Sequence, residues 1–218
     1  MNVPDPADSF LDKWRARWPE WELLSVFVPA RQRDTAAAWF TLLQELGDAA
    51  WTGREPAPGL AKLAWWQEEL AGWRKGARRH PLGQSLHRLA APWDELGRAL
   101  AALPVTRTPA GADEDGRALE TFGQALLACE AALFGGGATD ARALAAVVDD
   151  LRALRALGQG GPLPATPGRT TATGLSLPRR LQRVALYRRL RGQASGQSAV
   201  RPATLQLLLA GWRAARRG

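Results

Sequence analysis

The feature that most limits this chain is the spacing of its large apolar residues. Leu60, Leu63, Trp66, Leu70 and Trp73 recur every three to four positions before a stop at Gly76, which places them on one face of a helix. Ala36, Trp39, Phe40, Leu43 and Leu46 do the same ahead of Gly47, and Leu82, Leu86, Leu89, Trp93, Leu96 and Leu100 repeat the pattern across Pro92, which should divide that segment. Alternation with a period of two is nowhere convincing. The expected fold is therefore all-α, a single helical bundle of about eight helices over 1–218.

Punctuation gives the expected boundaries. Pro19 with Glu20 and Glu22 suits a helix first turn. Pro29 should open the helix that ends near Gly47, and Pro56-Ala57-Pro58-Gly59 should break the chain before the next. Residues 104–112 read as a loop. Asp113-Glu114-Asp115 leads an Ala/Leu-rich helix to Phe134, stopped by Gly135-Gly136-Gly137, and Thr139 or Asp140 should cap a helix reaching about Leu157. The Gly- and Pro-rich stretch 158–174 reads as an exposed loop before two basic C-terminal helices.

Charge is distributed unevenly. Residues 1–60 hold 6 basic and 9 acidic side chains, whereas 171–218 hold 10 arginines and no acid. Arg179, Arg180, Arg183, Arg188, Arg189 and Arg191 lie on a helix whose Leu177, Leu181 and Val184 face a core. A solvated basic face is the plainest account. Contact with an anionic membrane surface comes next, because basic amphipathic helices suit one. A basic nucleic-acid-binding helical module is the last alternative: its charge requirement is met, but nucleic acid is not the expected partner, since no binding motif accompanies the charge. A single Cys129, an acidic start (Asp5, Asp8, Asp12) and no long apolar run point to a cytoplasmic protein, peripheral to a membrane at most.

Three stretches resemble the squalene/phytoene synthase family of head-to-head prenyl transferases. Ser25 to Arg33 (SVFVPARQR) is similar to an early segment of that family. Leu63-Ala64-Trp65-Trp66-Gln67-Glu68-Glu69-Leu70, with His80-Pro81 after Gly76, resembles its L-x-W-W-x-x-E-L and downstream G-x-x-x-H-P. Leu133-Phe134-Gly135 matches a common helix stop. The resemblance implies an isoprenoid synthase fold in which aspartates on facing helices hold Mg²⁺ through hard oxygen ligands and support departure of a diphosphate.

The acids that this chemistry needs are largely missing. Where the family reads R-x-x-D-D-x-x-D, this chain has Gln44-Glu45-Leu46-Gly47-Asp48-Ala49-Ala50-Trp51, which keeps Asp48 alone. Where the family reads D-x-x-E-D, Asp150 can lead, but Ala153 and Leu154 replace the acidic pair. Tyr187 is the only tyrosine, so the family's active-site tyrosines have no evident counterparts. The resemblance thus implies a relative without Mg²⁺-dependent prenyl transfer and without a cofactor, acting as a binding or assembly factor for a partner protein or at a membrane. The alternative is an active transferase acting on prenyl diphosphates, with Asp48, Asp149 and Asp150 holding Mg²⁺ and Arg33 holding diphosphate.

Residue by residue, plainer readings compete. Asp48, a lone carboxylate after a glycine, reads as a cap or turn residue. His80 reads as a turn residue that could also hydrogen-bond a phosphate. His87 adds no metal site without further ligands. Trp39, Trp66 and Trp73 fall on core stripes, and Trp65, turned some 100° from Trp66, is the better candidate for a pocket or an exposed contact. Cys129 reads as a small buried hydrophobe.

Overall fold

In a computed structural model that describes residues 6–109, 111–135, 140–160, 174–194 and 204–216, every regular element is helical. The α-helices are α1 (Pro6–Arg17), α2 (Glu20–Leu24), α3 (Arg33–Trp51), α4 (Pro56–Trp73), α5 (Leu82–Leu86), α6 (Trp93–Ala99), α7 (Ala112–Phe134), α8 (Ala141–Gln159), α9 (Leu177–Ala194) and α10 (Thr204–Arg216). Short 3-10 turns cover Ser25–Phe27, Ala30–Gln32 and Leu100–Thr106. No helix of the described residues is long and apolar enough to cross a membrane.

The apolar stripes meet as their spacing requires. Trp39, Trp66 and Trp73 are fully buried with Leu42, Leu46, Leu63 and Leu70 in one core. The indole N–H of Trp39 donates to Glu130 at 2.9 Å, and that of Trp73 to Glu69 at 2.9 Å, so two polar edges are satisfied inside an apolar layer. Burial raises the Cys129 thiol pKa, as its apolar setting requires.

Several boundaries differ from the sequence reading, each for a local reason. α1 was not expected, because only Phe10, Trp14 and Trp18 mark its apolar face among charged neighbours; Trp14 and Trp18 are both buried. Pro29 precedes a 3-10 turn, and α3 proper begins at Arg33. α3 also runs through Gly47 to Trp51, where Thr52 donates its N–H and hydroxyl back to the Asp48 carbonyl and Gly53 takes φ +79°. Gly47 is therefore interior to the helix. The Pro56–Gly59 stretch is the first turn of α4, since prolines at the start of a helix give up only N–H groups that would be unpaired. Gly59 is required there for another reason: a Cβ would sit 2.3 Å from the Ala49 carbonyl oxygen of α3. Asp140 does cap α8, accepting from the Ala143 N–H at 2.7 Å. That helix continues to Gln159 and closes on left-handed Gly160, while Thr139, Pro202 and most of the expected loop (161–173) lie outside the described residues.

Candidate functional site

α1, α3, α7, α8 and α9 enclose a cavity of about 170 Å³. Its buried lining combines Trp14, Trp18, Phe40, Phe122, Leu126 and Leu151 with the polar side chains of Arg179 and Gln182, and its more exposed members are Arg17, Gln44, Asp48 and Arg189. The two stretches that resemble aspartate-rich motifs both reach it. Gln44, Gly47, Asp48 and Trp51 come from α3, and Leu154 comes from α8.

Asp48 is thus a cavity-wall residue inside a helix, which corrects its reading as a cap or turn. Its Oδ1 accepts from Gln44 Nε2 at 2.7 Å and lies 3.7 Å from Arg17 Nη1. Gln44 Oε1 in turn accepts from the Trp18 indole at 3.1 Å. The carboxylate is thereby held through Oδ1 in a side-chain network.

The other two acids point elsewhere. Asp149 is on the surface with Arg152. Asp150 is buried toward α9, where its Oδ1 accepts from the Tyr187 hydroxyl at 2.7 Å and lies 3.4 Å from Arg183 Nε. Burial is the main influence on Asp150 and raises its pKa to about 6, against the opposing pull of Arg183, Arg179 and Tyr187. Asp149 and Asp150 do not line the cavity, and among the described residues no three His, Cys, Asp or Glu side chains gather as a metal would need. Mg²⁺ wants an octahedral oxygen shell; the residues facing this cavity do not fit it.

Two arginines of α9 do not join the surface face expected of them. Arg179 and Arg183 are buried. Arg179 forms a close ion pair with Glu130 of α7 and donates through Nε to the same carboxylate at 2.9 Å. Burial works against its charge, but Glu130 more than offsets this, and the guanidinium pKa is raised. Arg180 donates to the carbonyls of Leu175 and Ala214, tying α10 to α9. Arg189 pairs with Glu20 at 2.9 Å and stacks 4.2 Å from the Trp18 ring centroid. Arg188 is half-buried and Arg191 exposed. Three of these arginines, Arg179, Arg183 and Arg189, are therefore the counterparts of carboxylates earlier in the chain. Sequence spacing could not pair them, because their partners are 33 to 169 residues away.

His80, Trp65 and Arg33 lie away from the cavity. The distinctive L-x-W-W-x-x-E-L stretch has a structural explanation centred on Glu69. Its carboxylate accepts from the backbone N–H groups of Arg79 and His80 at 2.8 and 2.9 Å, besides the Trp73 indole. Burial alone would raise the Glu69 pKa; these hydrogen bonds outweigh it and the net shift is downward. His80 Nδ1 accepts from the Leu82 N–H at 3.2 Å, and its ring packs against Phe10 and Trp66. Trp65 is half-buried beneath the Arg79 guanidinium. Arg33 donates to the carbonyls of Val28 and Val26, fixing the turn before α3. His87, engaged with the Gly83 carbonyl, is separate. Trp14, Trp18 and Glu130 were missed as site-forming residues. The i, i+4 spacing of the two tryptophans was the available signal, and Glu130 offered none.

No family model, curated protein or solved structure matches the chain.

Proposed function

We propose that this chain is a non-catalytic relative of the squalene/phytoene synthases that keeps a helical cup and works as a binding or assembly factor close to a membrane. The observation that carries this reading is the meeting of the two motif-like stretches at one cavity whose facing positions are non-acidic. Gln44, Gly47 and Trp51 stand on one side and Leu154 on the other, with Asp48 engaged by Gln44 and Arg17. In a synthase the positions of Gly47, Trp51 and Leu154 would supply oxygen ligands of the cations that take up charge as diphosphate leaves, and that of Gln44 an arginine. An indole and an isobutyl group supply none.

Volume supports the same reading. Sites for drug-sized ligands measure roughly 300–1,000 Å³, and a cavity of about 150 Å³ accommodates a benzene-sized molecule. At about 170 Å³ this one has room for a single small group and not for two prenyl chains side by side. The test is incubation of the intact protein with farnesyl or geranylgeranyl diphosphate and Mg²⁺, followed by extraction of hydrocarbon products and measurement of released diphosphate. The reading expects neither above a protein-free control. Release that scales with protein concentration and stops in Asp48→Asn overturns it in favour of an active transferase.

A further inference from the structure

The helix best placed to meet a membrane is α10, whose outer face is apolar although its inner face is already buried. Leu207 and Gly211 point inward, and Gly211 packs so closely that a Cβ would lie 2.8 Å from side-chain atoms of Leu24 and Phe27. On the opposite side Leu205 is 82% exposed, Leu209 46% and Trp212 45%. Positions 205, 209, 212 and 216 follow one another at helical spacing, so these three and Arg216 make a single outward stripe. The Arg216 guanidinium stacks 4.8 Å from the Trp212 ring centroid, and Arg213 is exposed beside it. Val26, 53% exposed, sits on the Ser25–Phe27 turn that α10 touches.

We infer that this stripe is a docking surface for a membrane carrying anionic lipid. It deepens the membrane part of the proposed function and stands apart from the loss of catalysis: diphosphate release would end that reading and leave this one intact. The occupant follows from chemistry on the page. Leucine and tryptophan enter the headgroup boundary, where an indole finds both apolar and polar surroundings. Arginine stems cross the same boundary while their guanidinium groups stay with lipid phosphates. Residues 201–218 contain four arginines and no acid, so a second copy laid on the stripe would oppose like charges, whereas an anionic surface complements them. The acids of the neighbouring α2 are Glu20, which is paired inward with Arg189, and Glu22, which is exposed. Arg179 and Arg183 of α9 are buried and take no part in it.

Flotation of the intact protein with vesicles tests the inference, using phosphatidylcholine alone and phosphatidylcholine containing about a third phosphatidylglycerol. The protein should float with the anionic vesicles and stay behind with neutral ones. Leu205→Ser with Leu209→Ser, both outside the core, should lower partitioning at least about tenfold. Arg213→Gln with Arg216→Gln should lower it about 25-fold, near fivefold per charge, and flatten its salt dependence. Leu60→Ser, an equally conservative change at a 41% exposed leucine of α4, should leave it unaltered. Failure of the unmodified protein to float, unchanged flotation of both double variants, or a solution dimer that Leu205→Ser with Leu209→Ser splits into monomers would each overturn the proposal. The last result would assign the stripe to a second copy.

Discussion

Removing the charge of Glu130 is the perturbation that separates a buried ionic hub from a surface face most sharply. Glu130 and Arg179 have side-chain exposures of 2% and 3%. The carboxylate also accepts from Trp39 at 2.9 Å and from the Ser176 hydroxyl at 3.1 Å, joining α3, α7 and α9. Glu130→Gln preserves size but leaves a guanidinium in the core without a counter-charge. Breaking a buried pair in this way costs about 3–5 kcal/mol, a large part of the roughly 5–15 kcal/mol that stabilises an ordinary domain. With a urea slope near the upper end of about 1–3 kcal/mol per molar, the unfolding midpoint should fall by about 1.5 M. Arg179→Met should be similarly harmful, since it strands the carboxylate. The double variant should recover most of the loss, because a buried pair can be exchanged for neutral side chains at little net penalty. Urea unfolding followed by circular dichroism measures all three. Single variants each within about 0.5 kcal/mol of the parent, the behaviour of an exposed pair, would refute the reasoning and restore Arg179 to the surface.

Three further outcomes follow from particular contacts. Burial raises the folded pKa of Asp150 to about 6, so the neutral acid is favoured up to that pH, and the stability that Asp150 supplies below its ordinary pKa is lost as pH rises through about 6. Relative to Asp150→Asn, the parent protein should weaken by about 3 kcal/mol between pH 4 and pH 7 in urea midpoints; a flat difference would contradict it. Glu69 has the opposite sign: with its folded pKa lowered by the N–H groups it collects, its contribution is present above the ordinary carboxylate pKa and disappears as pH falls through the folded value. Glu69→Gln should therefore be destabilising at pH 7, with the gap to the parent closing toward pH 3, and a gap that widens in acid would count against it. Gly59→Ala pushes a methyl group onto the Ala49 carbonyl and should cost about 1–3 kcal/mol, seen as a Tm lower by several degrees; an unchanged Tm would mean that α3 and α4 can part freely.

The helical class was readable because it rests on spacing, and spacing survives whatever surrounds it. Trp39, Trp66 and Trp73 went to the core as their stripes required. The ends of elements were less readable, since proline and glycine act differently with context: Pro56 and Pro58 start a helix, and Gly47 lies within one. The site was readable only in part. Local order placed Gln44 to Trp51 on one helix, but only the packing of α3 beside α8 brings Leu154 to the same cavity. Charge was read least well. A run of arginines looks alike whether it faces water or Glu130, Asp150 and Glu20 across the fold, and composition alone does not distinguish the two. The apolar outer face of α10 was equally hidden, because Leu205, Leu208, Leu209 and Trp212 form an ordinary core stripe on paper until Leu207 and Gly211 are seen to occupy the inner side.

The most direct measurement of the central claim is a Mn²⁺ titration of the intact protein with inorganic diphosphate present, followed by electron paramagnetic resonance of the free ion. An Asp48 carboxylate already engaged by Gln44 and Arg17, opposite a leucine, should withdraw no stoichiometric Mn²⁺ from solution. One or more ions bound per chain, and lost in Asp48→Asn, would contradict the account and return the cavity to metal-dependent chemistry.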